Sequence, residues 1–161
     1  MQDAQIPSSL HAAFLRRIAH ATDLTLASRN ALSWATLLAK SNQAELLLLH
    51  VVPPPTPIFE AESPLKAQAE FQLSALLTSM HLQGVNARGF VLCGTHSIDH
   101  QIVKAARLEQ ADLIVMGTNG RTGLSRLFAG SVASRVVARA DCPVLVIRNV
   151  LAKGSIATHC L

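Results

Sequence analysis

Short apolar runs recur along the chain at regular intervals. They lie at 16–22, 44–52, 86–94, 111–117 and 142–148. The second, fourth and fifth runs are nearly continuous, whereas a strand with one face in water alternates apolar and polar positions. Continuous runs therefore indicate strands buried on both faces, as in a parallel sheet covered by helices. The first run is the weakest, because it contains two arginines and His20.

Segments with helical spacing separate these runs. They span 28–42, 63–84, 97–110 and 125–140. Pro64 marks the start of the second segment and Gly84 its end, Ser97 is a candidate cap, and Pro143 closes the last segment. The first segment places Ala31, Leu32, Ala35, Leu38 and Ala39 on one stripe, and the third turns Ile98, Ile102, Ala105 and Ala106 inward. The order β-α-β-α-β-α-β-α-β predicts a doubly wound parallel sheet with right-handed crossovers.

The length of 161 residues suits one domain, 1–161. We expect a core of about 14–149 between tails at 1–13 and 150–161. Prolines cluster just after the second run, so 53–62 is predicted to be a surface loop.

The composition bears on the cellular compartment of the protein and on its association with membranes. No apolar run approaches the roughly 18–20 residues of a membrane helix, and the N-terminus does not resemble a secretory signal. Cys93, Cys142 and Cys160 are odd in number, which favours free thiols in a reducing compartment. We therefore expect a cytoplasmic protein without membrane association.

The formal charge of +4 is modest, and basic residues are frequent between Arg121 and Arg148. Such a field attracts phosphates, although each arginine could instead belong to a solvated helix face. Nucleic acid is not an expected partner, because there is no dense basic run and few aromatic residues could stack on bases.

Glycines concentrate in one part of the chain, with four of the eight between Gly117 and Gly130. Ligands of doubly wound sheets bind beyond the carboxyl ends of the strands, where Gly117 ends the fourth run. Glycines let backbone amides approach an anion, and a helix start such as that near Gly130 suits phosphate. The alternative is a turn and a close helix crossing without a ligand. Neither G-x-x-x-x-G-K-[ST] nor G-x-G-x-x-G occurs.

The spacing Gly117-x2-Gly120-x9-Gly130-Ser131 resembles the nucleotide signature of the universal stress protein family. The similarity extends over 111–148, 21–52 and 91–117, and so covers most of 16–148. It implies a five-stranded parallel sheet in the order 3-2-1-4-5 with helices on both faces, of the adenine nucleotide alpha-hydrolase-like type. It also implies a homodimer formed through the last strand, and binding of ATP, or of ADP or AMP, with Mg²⁺ as a companion.

The resemblance also assigns roles to individual positions. Asp23 would hold the ribose hydroxyls, with Ala21 and Thr22 beside it, and Val51 would meet adenine through its backbone. Met116 and Gly117 would line the base and ribose. The phosphates would be surrounded by Asn119, Gly120, Gly130, Ser131 and Val132.

Two positions depart from the family pattern. Ala21 stands where many relatives have proline, and Leu24 follows Asp23 where glycine or phenylalanine is common. From the residues alone, Asp23 could instead cap its own loop in an Asx turn.

Other chemistry is less well supported. Cys93-x2-His96-x3-His100 has the spacing of metal ligands but lacks a fourth ligand, so the histidines are expected at a solvated helix start. His50 is expected to be a hydrogen-bonded structural residue. Ser125 and Ser131 do not lie in a G-x-S-x-G motif.

The leading functional interpretation is an ATP-binding regulatory protein of the universal stress response with little or slow hydrolysis, because no P-loop lysine or obvious general base is present. An adenine-nucleotide hydrolase or ligase is one alternative, although such ligases need a glycine-rich loop after the first strand and 21–26 has no glycine. A protein-interaction module independent of nucleotide is the other.

Overall fold

The computed structural model describes residues 15–25, 28–52, 64–118 and 131–148. Its elements are β1 (Arg17–Ala21), α1 (Arg29–Asn42), β2 (Glu45–Val52), α2 (Pro64–Leu82), β3 (Ala87–Cys93), α3 (Ile98–Leu108), β4 (Leu113–Thr118), α4 (Ser131–Arg139) and β5 (Val144–Arg148). The predicted alternation of strands and helices is confirmed. The part of the last predicted helix before Ser131 lies outside the described residues, as does the proline-rich loop.

The five strands form one parallel sheet in the order β3-β2-β1-β4-β5, as the family resemblance implied. β1 came from the weakest run and yet lies at the centre, pairing with β2 on one side and β4 on the other. Its burial comes from these neighbours, and Ile18 and Ala19 are both fully buried.

Two apolar layers hold the helices onto the sheet. Successive strand residues point to opposite faces, so Ile18 and Leu48 face α1 and α2, whereas Ala19 and Leu47 face α3 and α4. Full burial of each Leu or Ile side chain contributes about 1.5–3 kcal/mol. The stripe predicted on α1 is largely confirmed: Ala31, Ala35 and Ala39 are buried, and Leu32 and Leu38 pack beside them.

The prediction for α3 needs one correction. Ile102, Ala105 and Ala106 are buried, but Ile98 is 48% exposed, because it begins α3 and faces an open cleft at the carboxyl ends of the strands. Ser97 occupies the cap position in extended backbone, yet its side chain caps no amide. No helix in the described part of the chain is long and apolar enough to span a membrane.

Candidate functional site

A cleft of about 360 Å³ opens at the carboxyl ends of β1 and β4. β1 leads into α1 on one face of the sheet, and α4, which follows β4, packs on the other. The winding therefore reverses between these two adjacent strands, which is where doubly wound sheets bind ligands. The volume falls in the range typical of small-molecule sites.

The cleft is lined by both apolar and polar residues. Leu49, Val51, Ile102, Met116 and Val132 supply apolar surface, which suits a flat aromatic ring. Polar groups come from the end of β1 and the turn after it, and from His50 and Thr118. In the part of the chain that the structure describes, Asp23 is the only carboxylate that lines the cleft.

The turn after β1 is held by its own side chains. Thr22 Oγ1 lies 3.0 Å from Ser28 Oγ and accepts the Leu24 N–H at 3.0 Å. Asp23 Oδ1 accepts the Thr25 N–H at 3.0 Å and the Thr25 hydroxyl at 2.7 Å. Asp23 therefore forms the Asx turn proposed as the alternative, and it also lines the cleft. The turn orients the carboxylate at the mouth of the site.

Leu24 adopts a left-handed backbone with φ of 59°. A residue with a Cβ pays roughly 1–2 kcal/mol for this conformation. Partial burial of the Leu24 side chain against the core on the α1 side offsets that cost. This packing accounts for a leucine where a glycine would adopt the turn without strain.

His50 joins the end of β2 to the same turn. Its Nδ1 lies 2.9 Å from the Thr22 carbonyl oxygen, so Nδ1 carries the proton and donates it. The predicted hydrogen-bonded structural role of His50 is confirmed. The imidazole also lines the cleft, which the sequence did not indicate.

His20 lies on β1, two residues before Thr22, and is fully buried. Its Nδ1 donates to the Val115 carbonyl oxygen at 3.1 Å, and Nε2 has no hydrogen-bond partner among the described residues. Burial lowers the pKa of His20 to about 4, against the opposing effects of the Val115 hydrogen bond and the Asp23 charge. The centre of the sheet beneath the cleft is therefore uncharged at neutral pH.

The structure brings most of the predicted site residues together. Ala21, Thr22, Asp23, Val51, Met116, Gly117 and Val132 all line the cleft. Asn119, Gly120 and Gly130 lie outside the described residues, and Ser131 is described only as the first residue of α4. Lining residues that sequence reasoning missed are Ser28, Leu49, His50, Ile98, Ile102, Thr118 and Ala133.

The candidate metal ligands Cys93, His96 and His100 lie between the end of β3 and the first turn of α3. The rings of His96 and His100 stack with their centroids 4.6 Å apart and their planes 17° from parallel. Stacked rings do not direct their nitrogens to one point. Within the described ranges, no three His, Cys, Asp or Glu side chains are placed to hold a metal ion.

A parallel sheet in the order 3-2-1-4-5, wound in two directions around a cleft of this kind, defines an α/β protein of the adenine nucleotide alpha-hydrolase-like class. The chain belongs to the universal stress protein family, whose model matches residues 15–148. It is 36% identical to universal stress protein MJ0531 of Methanocaldococcus jannaschii over 83% of this chain and 82% of that protein. It is 31% identical to universal stress protein YxiE of Bacillus subtilis over 75% and 90% of the two chains.

Solved structures agree on the fold. A universal stress protein from Archaeoglobus fulgidus superposes with a TM-score of 0.70 at 23% identity, covering 82% of this chain and 98% of that one. A universal stress protein in complex with cAMP gives 0.70 at 20% identity, covering 86% and 100%. Another Archaeoglobus fulgidus structure, in complex with dAMP, gives 0.66 at 21% identity, covering 83% and 98%.

Proposed function

We propose that this chain is an ATP-binding regulatory protein of the universal stress response, and that ADP or AMP can occupy the same cleft. The observation that carries the proposal is the cleft itself, lined by Asp23 after β1 and by Met116 and Gly117 at the end of the adjacent β4, where the winding reverses. Two universal stress proteins of the same fold have been solved with cAMP and dAMP, both adenine nucleotides, which supports the same ligand class here.

The described residues fit an adenine nucleoside. The apolar lining suits adenine, which by the family resemblance would meet the Val51 backbone, and the Asp23 carboxylate suits the ribose hydroxyls as an acceptor. The start of α4 suits phosphate, because its free amides and dipole favour an anion. We extend the phosphate site to Asn119, Gly120, Gly130 and Ser131 on the strength of the glycine spacing. Mg²⁺ would then be held mainly by the phosphates.

We propose that hydrolysis at this site is slow. No lysine or arginine lines the described part of the cleft, so nothing there neutralises charge that develops on a departing phosphate. The protein would therefore report nucleotide occupancy and would not turn the nucleotide over efficiently. The odd number of cysteines supports a reducing, cytoplasmic setting for this role.

A homodimer through β5 is part of the proposal. β5 pairs with β4 and, among the described residues, with no other strand. An unpaired apolar edge strand is stabilised when a second copy covers it.

Equilibrium dialysis with labelled ATP and Mg²⁺ tests the binding claim, and Asp23→Ala tests the site. We expect saturable uptake by the wild type and a loss of roughly 1–3 kcal/mol in the variant, because hydrogen bonds to a charged acceptor disappear. Asp141→Ala is the control: its carboxylate is exposed and pairs with Arg107 at the other end of the sheet. No uptake at millimolar ATP would overturn the proposal and favour the nucleotide-independent interaction module.

A further inference from the structure

A buried ion pair joins α3 to α4 beside the cleft. Asp99, in the first turn of α3, is fully buried. Its Oδ1 accepts a hydrogen bond from Arg135 Nε at 2.7 Å, and its Oδ2 accepts one from Arg139 Nη1. Both arginines belong to α4, so one carboxylate holds two successive turns of that helix.

The carboxylate is ionised in this setting. Burial by itself raises the pKa of Asp99, but the hydrogen bonds from Arg135 and Ser97 outweigh it and hold the pKa below its usual value. A buried charge is tolerated only when it is paired and hydrogen-bonded. The arginine side chains are about half exposed, so water can reach them if the carboxylate is removed.

The position of this pair links it to the site. Ile98 and Ile102 flank Asp99 on α3 and line the cleft, and Val132 and Ala133 line it from the start of α4. Helical side chains lean toward the N-terminus of their helix. Arg135 and Arg139 therefore reach toward the cleft end of α4 to meet Asp99, and the bond holds that end against α3.

A second ion pair, at the last turn of α3, joins that helix to the residues that follow α4. Arg107, in the last turn of α3, donates through Nη2 to Asp141 Oδ1 at 3.0 Å, just past α4. The two side chains are 64% and 60% exposed. Exposed pairs of this kind contribute little to stability, and this one is remote from the cleft. It is a natural control for the buried pair.

We propose that Asp99 is a positioning residue for nucleotide binding: by holding Arg135 and Arg139, it sets where the first turn of α4 stands at the cleft, and hence how tightly that turn binds phosphate. This inference rests on the proposed function. Asp99 does not line the cleft, so its effect passes through α4.

Asp99→Asn tests the proposal, with Asp141→Asn as the matched control, by calorimetry with ATP and with adenosine. We expect Asp99→Asn to lower the affinity for ATP about tenfold, since small misplacements of a binding group have large effects. Adenosine, which lacks phosphates, should change less than about twofold, and Asp141→Asn should leave both affinities within about twofold. Equal loss for ATP and adenosine, or unchanged ATP affinity in folded Asp99→Asn, would overturn the positioning role.

Hydrogen exchange provides a readout that does not depend on ligand. The amides of 135–138 donate to carbonyls in the first turn of α4, and Asp99→Asn should speed their exchange while Asp141→Asn should not. If the wild type binds no adenine nucleotide, the proposed function fails and this measurement alone decides the positioning claim. Unchanged exchange would refute that claim.

A milder variant covers the case in which Asp99→Asn does not fold. Arg139→Gln keeps the bond between Asp99 and Arg135 and removes one of the two guanidinium groups. It should lower the affinity for ATP about threefold and leave the affinity for adenosine unchanged. Equal affinities for wild type and Arg139→Gln in that case would overturn the proposal.

Discussion

Two aspartates at opposite ends of the central strands do different work. Asp112 precedes β4, and its Oδ2 accepts the backbone N–H groups of Arg16 and Arg17 at 2.7 and 2.9 Å, across 96 and 95 residues of sequence. Asp23 follows β1, and its Oδ1 accepts from Thr25, two residues on. The first carboxylate ties distant segments together, whereas the second shapes a local turn at the cleft. We call the amino ends of the strands the amino edge of the sheet and their carboxyl ends the carboxyl edge. The contacts at the amino edge thus stabilise the fold, whereas the carboxyl edge is left for ligand.

An ion-pair network extends the contrast. At the amino edge Arg88 joins Glu45, at 2.6 Å, to Glu109, at 2.9 Å. The Arg88 hydrogen bond lowers the pKa of Glu45, against a smaller opposing effect of burial. Glu45 on this edge and Asp99 beside the cleft both have lowered pKa values, so both keep their charges in mild acid.

The largest expected effect comes from His20, which lies in β1 between the two edges. It affects stability although it is not at the amino edge, and so departs from the simple division between the two. Its pKa is about 4 in the fold and 6.5 when unfolded. Above pH 6.5 both states are neutral; between pH 6.5 and 4 only the unfolded chain takes the proton. Stability should therefore fall by up to roughly 3 kcal/mol as pH drops through this window. Urea unfolding at pH 7, 5.5 and 4.5 measures it.

His20→Gln is the control for that titration. Glutamine does not titrate and can still donate to the Val115 carbonyl. The other histidines contribute equally to both proteins, so the difference between the two stability curves isolates His20. If the stabilities of wild type and variant change with pH in the same way, His20 takes up its proton as readily in the folded protein as in the unfolded chain, and its pKa is not lowered by folding.

Asp112→Ala should have the next largest effect. It removes the charged acceptor of two backbone amides, which we expect to cost about 2 kcal/mol of unfolding free energy after allowing for partial exposure. ATP affinity should stay unchanged, the reverse of the pattern for Asp23→Ala. Urea unfolding and calorimetry measure the two quantities.

Asp141→Ala is the matched control, because its ion pair with Arg107 is exposed and should contribute little to stability. If Asp112→Ala weakens ATP as much as Asp23→Ala does, the two edges are coupled and the division of labour is wrong.

Local pattern was enough to predict most elements, and contacts between distant residues were not predictable. β2, β4 and β5 follow from continuous apolar runs, but the central place of β1 depends on neighbours that its own residues do not reveal. The strand order came with the family resemblance. The Asp99 pair joins residues 36 and 40 positions apart, and no spacing in the sequence indicates it. Residues such as Ile102, which line the cleft, are predicted from the sequence only as core residues. The position of a helix on the sheet decides which of its apolar residues reach a cleft, and the sequence does not show that position.

The smallest expected effects come from two of the residues whose backbone is left-handed, one at each edge. Leu24 at the cleft and Gln43 after α1 have φ of 59° and 55°. Glycine relieves roughly 1–2 kcal/mol of strain at either position, at an entropic cost of about 0.5–1 kcal/mol. Gln43 is exposed, so Gln43→Gly should stabilise the protein slightly.

Leu24→Gly should not gain in the same way, because it also loses apolar contact with the core, worth about 1–2 kcal/mol. Its unfolding free energy should lie within about 1 kcal/mol of wild type and below that of Gln43→Gly. Thermal unfolding of the two variants side by side measures the difference, which equals the packing contribution of Leu24. A Leu24→Gly protein as stable as Gln43→Gly would mean that this side chain contributes no packing energy.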